Sequence, residues 1–289
     1  MKAEFKEKYY EHAFIIELGR RCHQFYSPDQ VDERFLGFDT AWFLPFDDFR
    51  YFLPGLARRA SAFPHGITTN DLRRLGDLFN HRLPALRLNL FLQFKRPDYL
   101  SRSSAKEWSY WGHPYFRFDL THHQQERLAD LARIGGNQAA VVYAAAAFHE
   151  YTDLIGHTRN NSVIQNSNIS ECRPLSGHGR FTYDSPGHTG AAHSEPEDIE
   201  SRPFETILQA GELREEIPFT QMIKRAAKII EDTVSRRFED QTLLELSRKA
   251  VLQGDIAEVM PEAKDTWLDA MITVLAFNFA FDVRTVLVG

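Results

Sequence analysis

Two apolar runs constrain this chain more than any other feature: Leu86 to Lys95, crowded with Leu88, Leu90, Phe91, Leu92 and Phe94, and Ala139 to Ala146. The first is closed by Arg96-Pro97 and reads as a strongly apolar strand. The second follows Gly135-Gly136, which stops a helix expected over Asp119 to Ile134, and reads as a fully buried strand. Strands of this kind need cover on both faces. A further helix is expected over residues 4–22, where Phe5, Tyr9, His12 or Ala13, Ile16 and Gly19 recur at three- and four-residue spacing. Arg34 to Leu44 alternates over its second half and reads as a strand ending at Pro45. Helix, strand, strand, helix, strand is the order of an α/β chain with a mixed central sheet flanked by helices.

The remainder reads more simply. Thr69-Asn70-Asp71 caps a short helix to Arg82, His149 to His157 forms another helix, and Ser162 to Gln165 a short strand. Glu171 to Glu200 is loop-rich, with His178 to Tyr183 as its strand-like piece. Helices are expected at 203–212, 219–237, 239–253 and 262–281, with no strand between 219 and 253. Ile223, Ala226, Ala227 and Ile230 would share one buried face, and Leu243, Leu246 and Ala250 another. The chain thus divides into an α/β core over 1–190 and a mainly helical C-terminal region over 203–289, with the boundary in the polar run 185–202.

Composition excludes several classes. Of 289 residues 43% are hydrophobic and 23 are phenylalanine, which argues for an aromatic-rich core and against disorder. Two cysteines, Cys22 and Cys172, make neither a disulfide framework nor a CxxC pair, so a reduced, cytoplasmic setting is expected. The charged start Met1-Lys2-Ala3-Glu4 lacks the apolar run of a signal peptide, and Asp269, Thr273 and Asn278 interrupt the most apolar C-terminal stretch, so no membrane segment is expected. A net charge of −6 counts against indiscriminate nucleic-acid binding, although Arg58-Arg59, Arg73-Arg74 and the arginines from Arg82 to Arg96 leave room for a basic cleft.

Chemistry concentrates on the first apolar strand. Gln93 and Lys95 are two residues apart, so their side chains leave one face while Phe94 enters the other. A lysine inside such a strand is costly to bury without an anionic partner or an open cleft. Beside a carboxylate and a hard divalent ion, that lysine would clamp a phosphodiester.

Glu33-Arg34-Phe35-Leu36-Gly37-Phe38-Asp39 resembles the acidic strand of the PD-(D/E)XK, restriction-endonuclease-like nucleases, and Leu90-Phe91-Leu92-Gln93-Phe94-Lys95 resembles their second motif in its Gln-x-Lys variant. The resemblance covers roughly residues 5–150. It implies a Mg²⁺- or Mn²⁺-dependent endonuclease acting on DNA rather than RNA, in a bacterial defence or mobile-element context. Asp39 would be the metal ligand, Gln93 a secondary ligand and Lys95 the catalytic cation. The extra acid such sites often take from the first helix would be Glu17 or Glu11, with Glu33 as rival. The interval from Asp39 to Gln93 exceeds the usual hairpin, so a helical insertion is expected between the two strands.

Blander readings stand beside these. Asp39 and Lys95 could form an ordinary salt bridge, and the chain could be a non-catalytic scaffold that binds a protein partner through its C-terminal helices. Gln124 and Gln125, after His122-His123, read as solvated first-turn residues before they read as substrate-facing ones. His178, His188 and His193 match no metal-ligand spacing and read as exposed. His149 reads as a core or capping residue and Tyr143 as core. Trp108-Ser109-Tyr110-Trp111 with Tyr115, Phe116 and Phe118 reads as aromatic core before it reads as a stacking surface for bases. No G-x-S-x-G turn or phosphate-binding glycine loop occurs.

Overall fold

Both apolar runs are strands in the computed structural model, which describes residues 1–22, 24–28, 69–83, 85–194, 196–251 and 266–289. The expected acidic strand around Asp39, with Glu33, lies outside the described residues. Those described form a mixed α/β protein with two five-stranded sheets. The chain resolves into two units: Met1–His23 with Leu90–Leu213, and Gln24–Asn89 with Arg214–Gly289.

The first unit begins with α1 (Glu7–Arg21), which buries Tyr10, Phe14 and Leu18 on one stripe. Strand β2 (Leu88–Lys95) neighbours β5 (Ala139–Ala146), and β5 pairs antiparallel with β6 (Ser167–Glu171). Phe94 meets the rings of Tyr10 and Phe14 at 5.7 and 5.3 Å, so α1 lies on the Phe94 face of β2. Between β2 and β5 the chain forms β3 (Asp98–Leu100), the short helix α3 (Trp108–Trp111), β4 (Tyr115–Asp119) and α4 (His122–Gly135). Helix α4 buries Gln125, Leu128 and Leu131 at helical spacing and ends at Gly136, whose φ of 49° suits glycine. Helix α5 (Tyr151–Asn160) follows β5.

The second sheet is an antiparallel meander of β3, β4, β7 (Arg180–Tyr183), β8 (Thr189–His193) and β9 (Pro196–Glu200). Phe116, Phe118, Phe181 and Tyr183 form its apolar face; Phe118 lies 5.6 Å from the Tyr143 ring, and the Tyr183 hydroxyl donates to the Ala146 carbonyl at 2.6 Å. This sheet corrects the loop-rich reading of 171–200. Gly190, Ala191, Ala192, Pro196, Glu197 and Asp198 have little intrinsic strand preference; cross-strand pairing imposes the conformation, and Pro196 and the acids suit the outermost strand. The strand expected at 162–165 is a turn, and pairing starts at Ser167.

In the second unit, β1 (Phe25–Tyr26) pairs antiparallel with β10 (Arg284–Val288), with α2 (Thr69–Arg82), α6 (Phe204–Glu212) belonging instead to the first unit, and then α7 (Phe219–Val234), α8 (Phe238–Val251) and α9 (Trp267–Phe281). Strand β10 was absent from the helical reading of the C-terminal region. Asp282, left-handed at φ 52°, ends α9, and Thr285 Oγ1 donates to Asn278 Oδ1 at 2.7 Å across that turn. Within this unit β1 has its ladder partner in β10, at the far end of the chain. The α7 stripe Ile223, Ala226, Ala227 and Ile230 is buried as expected, with Met222 and Ile229 beside it. Among the described side chains of α8, Asp240, Leu244 and Ser247 are buried, while Leu243, Leu246 and Ala250 are exposed. Arg248, on the same helix, donates to Thr273 Oγ1 at 2.6 Å and to Asp269 on α9. Among the described residues no helix is long and apolar enough to cross a membrane.

Candidate active site

Gln93 and Lys95 leave β2 on the face opposite α1, and both are met there by Gln124 in the first turn of α4. Lys95 Nζ donates to Gln124 Oε1 at 2.7 Å. Gln124 Nε2 donates to Gln93 Oε1 at 2.8 Å, and Gln93 Nε2 donates to the Phe94 carbonyl at 3.3 Å. Gln93 is 1% exposed, while Lys95 is half-buried. The ammonium also lies 5.6 Å from the centroid of the Tyr143 ring, within reach of a cation–π attraction of about 0.5–2 kcal/mol.

A second chain of hydrogen bonds fixes that ring. Tyr143 Oη donates to Gln125 Oε1 at 2.5 Å, and Gln125 Nε2 donates to the Cys172 carbonyl at 2.6 Å. Consecutive residues of one helical turn thus do two tasks: Gln124 holds the polar groups of β2, and Gln125 anchors the aromatic floor from β5. Burial pushes the Tyr143 phenol and the Cys172 thiol well up, so both stay protonated at neutral pH; the positive charge of Lys95 opposes the effect at Cys172.

Of the expected site residues, Gln93 and Lys95 are therefore brought together, and Asp39 and Glu33 lie outside the described residues. Glu17 is not brought to this face. It is 2% exposed on α1, where its carboxylate accepts from the backbone N–H groups of Val163 and Ile164 at 2.6 and 3.2 Å and from the Arg21 guanidinium. Those bonds tie the 163–164 turn to α1. Glu11, also on α1, pairs with Lys8 at 3.0 Å.

Gln124 is the residue that sequence reasoning undervalued. Its partners lie 29 and 31 positions away, and a first-turn glutamine looks solvated until the helix is seen to return over the strand. Tyr143, read as core, is core that also faces a cation.

The outer face of the second sheet carries a separate polar cluster. Glu107, 5% exposed, accepts from Arg180 Nη1 at 2.7 Å and from Tyr115 Oη at 2.9 Å, with Arg117 at 3.6 Å. Arg117 reaches Asp98 at 3.1 Å and Arg180 reaches Asp119 at 2.8 Å. Burial would raise the Glu107 carboxyl, but the hydrogen bonds from Arg180 and Tyr115 and the charges of both arginines together hold it below the ordinary value of 4.5. Trp111 Nε1 donates to Thr182 Oγ1 at 3.0 Å, and Tyr110 donates to Asp198. His193 Nε2 bonds Thr182 Oγ1 at 2.8 Å, and His178 pairs with Glu197 at 3.3 Å. Among the described residues no group of three or more His, Cys, Asp or Glu could hold a metal ion. His149 stacks on Tyr99 at 4.1 Å, and its carbonyl accepts from the Glu4 N–H.

No protein-family model matches this chain, and no curated protein or solved structure matches it.

Proposed function

We propose that the protein is a divalent-metal-dependent nuclease whose site is built on β2, with Lys95 as catalytic cation, Gln93 as oxygen ligand and Asp39 as the carboxylate that completes the metal site. One observation carries this reading: an ammonium and a pinned carboxamide share one face of an otherwise apolar strand, inside a hydrogen-bonded frame. Gln93 Oε1 is a hard, neutral oxygen of a kind Mg²⁺ and Mn²⁺ accept, but it already accepts from Gln124 and shares its face with the Lys95 ammonium, so the negative charge such an ion needs would have to come from Asp39. Bound there, such an ion would polarise a phosphoryl oxygen and lower the pKa of a coordinated water. Lys95 would stand beside the phosphate oxygens that gain charge as the nucleophile arrives. Gln124 and the Tyr143 ring hold it in place, so little reorganisation is needed at that moment. DNA is the proposed substrate.

The test pairs cleavage with binding. Plasmid and RNA are incubated with Mg²⁺ or Mn²⁺ under single-turnover conditions, and binding is measured in Ca²⁺, for the wild type, Lys95→Ala and Asp39→Ala. Lys95→Ala should slow cleavage by about 10²–10³, the effect of losing one preorganised charge. Binding should change far less, because other basic side chains still contact phosphates. Equal cleavage by wild type and Lys95→Ala would rule out this site. A wild type that cleaves nothing would favour the scaffold reading, which has its own observation in the exposed Phe238 and Leu246 of α8 and Phe279 of α9.

A further inference from the structure

The face of the meander opposite its phenylalanines carries an aromatic cluster that the β2 site does not use. Register sets Arg117, Thr182, Ala191 and Asp198 in one row across β4, β7, β8 and β9. Helix α3 lies over that row: Trp111 Nε1 donates to Thr182 Oγ1 at 3.0 Å, Tyr110 donates to Asp198, and Ala191 is buried. The Trp111 ring lies within 18° of parallel to the buried Tyr115 ring. Gly112, left-handed at φ 69°, ends α3, and His113 beyond it bonds Asp184 Oδ2 through Nε2 at 2.9 Å. The Tyr110 and His113 rings stand at 78° and 72° to the indole, with centroids 5.1 and 5.9 Å from it.

Each ring is thus held by its polar edge, the indole by Thr182, the phenol by Asp198 and the imidazole by Asp184. What a ligand can meet is ring surface and two carboxylates. Tyr110, His113, Asp184 and Asp198 are exposed and Trp111 is half-buried. Arg117 and Arg180 are engaged by Asp98, Glu107 and Asp119, whereas neither Asp184 nor Asp198 pairs with a lysine or arginine among the described residues. The hydrogen bond to Asp198, burial, and the charges of Asp198 and Asp184 push the Tyr110 phenol up to about 12, so both carboxylates act on one ring.

We propose that Tyr110, Trp111 and His113, with Asp184 and Asp198, form a recognition site for a methylated ammonium group. Aromatic faces attract a cation held within about 6 Å of the ring centroid, and the carboxylates add to that field. An unmodified ammonium or a guanidinium must find acceptors for its N–H groups. Here the carboxylates already accept from Tyr110, His113 and Ser185. A quaternary ammonium has no N–H to satisfy and spreads its charge over methyl groups that pack on rings. Phosphates are repelled by the same carboxylates, so this is not a second nucleic-acid surface. The site lies apart from β2 and stands whether or not the protein cleaves nucleic acid.

The test titrates the full chain at pH 8 with choline, with its neutral isostere 3,3-dimethylbutan-1-ol and with N-acetyl-trimethyllysine methylamide. NMR follows the indole N–H resonances, that of Trp111 being identified by its loss in Trp111→Phe. Choline should shift the Trp111 resonance saturably and bind roughly tenfold more tightly than the isostere, the contribution of a charge against ring faces. Asp184→Asn and Asp198→Asn each keep an acceptor for the adjoining ring and should weaken choline binding roughly twofold to fivefold. Tyr110→Leu should weaken it roughly tenfold. Trimethyllysine binding more tightly than choline would support the site and assign it to a modified protein segment; the reverse order would support it and assign it to a small molecule. Equal binding of choline and its isostere, no saturable shift at Trp111 with either cation, or choline binding unchanged in both Asp→Asn variants would overturn the proposal.

Discussion

At the scale of single residues, Lys95 and Glu107 show two opposite ways of holding a charge against buried side chains. Lys95 donates to a carboxamide oxygen and lies over an aromatic face. Glu107 is met by two guanidinium groups and a phenol, which makes it a structural anchor. The folded state holds the Glu107 carboxyl below 4.5, so the unfolded chain takes up its proton first as pH falls. Its stabilisation is therefore complete above that value and lost as pH drops through the lower, folded one. Glu107→Gln should destabilise the fold by about 1–3 kcal/mol at pH 7, less than a fully buried pair because both arginines keep some access to water. It should also flatten the acid limb of stability, as read from urea midpoints between pH 3 and 7. An unchanged acid limb would show that Glu107 does not carry it. The shared face of Gln93 and Lys95 was legible from the sequence because a strand's period of two fixes it. The Glu107 network was not, since its members span residues 98–180 and meet only once the meander is built.

At the scale of elements, what the sequence revealed depended on whether a segment owed its form to its own residues. The strand β2, the strand β5 and the stripe of α7 are dense in apolar side chains with an unambiguous period, and all three stand where the pattern put them. Strands β8 and β9 owe their form to their neighbours and were invisible. Glycine marks how close that neighbourhood is. A Cβ at Gly190 would collide with the Phe181 ring and with the Thr182 carbonyl of the adjoining strand. A Cβ at Gly76, on α2, would stand 2.9 Å from Trp267 Nε1 and 3.0 Å from Thr220 Cγ2. Gly76→Ala gains about 1 kcal/mol in helix propensity but meets an indole and a methyl that can shift, so its net loss should be small, within about 2 kcal/mol. Gly190→Ala meets a backbone carbonyl, which cannot yield without moving the ladder, and should cost about 3 kcal/mol or more. Denaturation midpoints of the two variants should rank in that order; a milder Gly190→Ala would mean the meander is looser than its pairing implies.

At the scale of the whole molecule, the second unit is assembled from distant parts of the chain, and its last strand ties them together. β10 pairs with β1 through Phe25↔Val288 and Tyr26↔Leu287, and the Arg87 N–H donates to the Val288 carbonyl at 2.8 Å. Gly289 and Gln24 exchange backbone hydrogen bonds at the end of the same ladder. Val286, Leu287 and Val288 are buried, as is Thr285, whose hydroxyl satisfies Asn278 inside α9. A sequence reading centred on the preceding apolar helix passes over these five residues, because so short a strand has a weak pattern and takes its meaning from a partner some 260 positions earlier. Their energetic weight is out of proportion to their number. Burying three aliphatic side chains contributes roughly 5–9 kcal/mol at about 1.5–3 kcal/mol each, before counting the ladder and the Asn278 partner. The net stability of a typical domain is about 5–15 kcal/mol. A chain ending at Val283 should therefore lose the cooperative thermal transition of the second unit and expose the edges of β1 and Leu86–Asn89. Circular dichroism melts together with limited proteolysis measure this directly. A truncated protein that keeps its transition and resists cleavage between Arg214 and Phe281 would show that the C-terminal helices hold the unit without the strand.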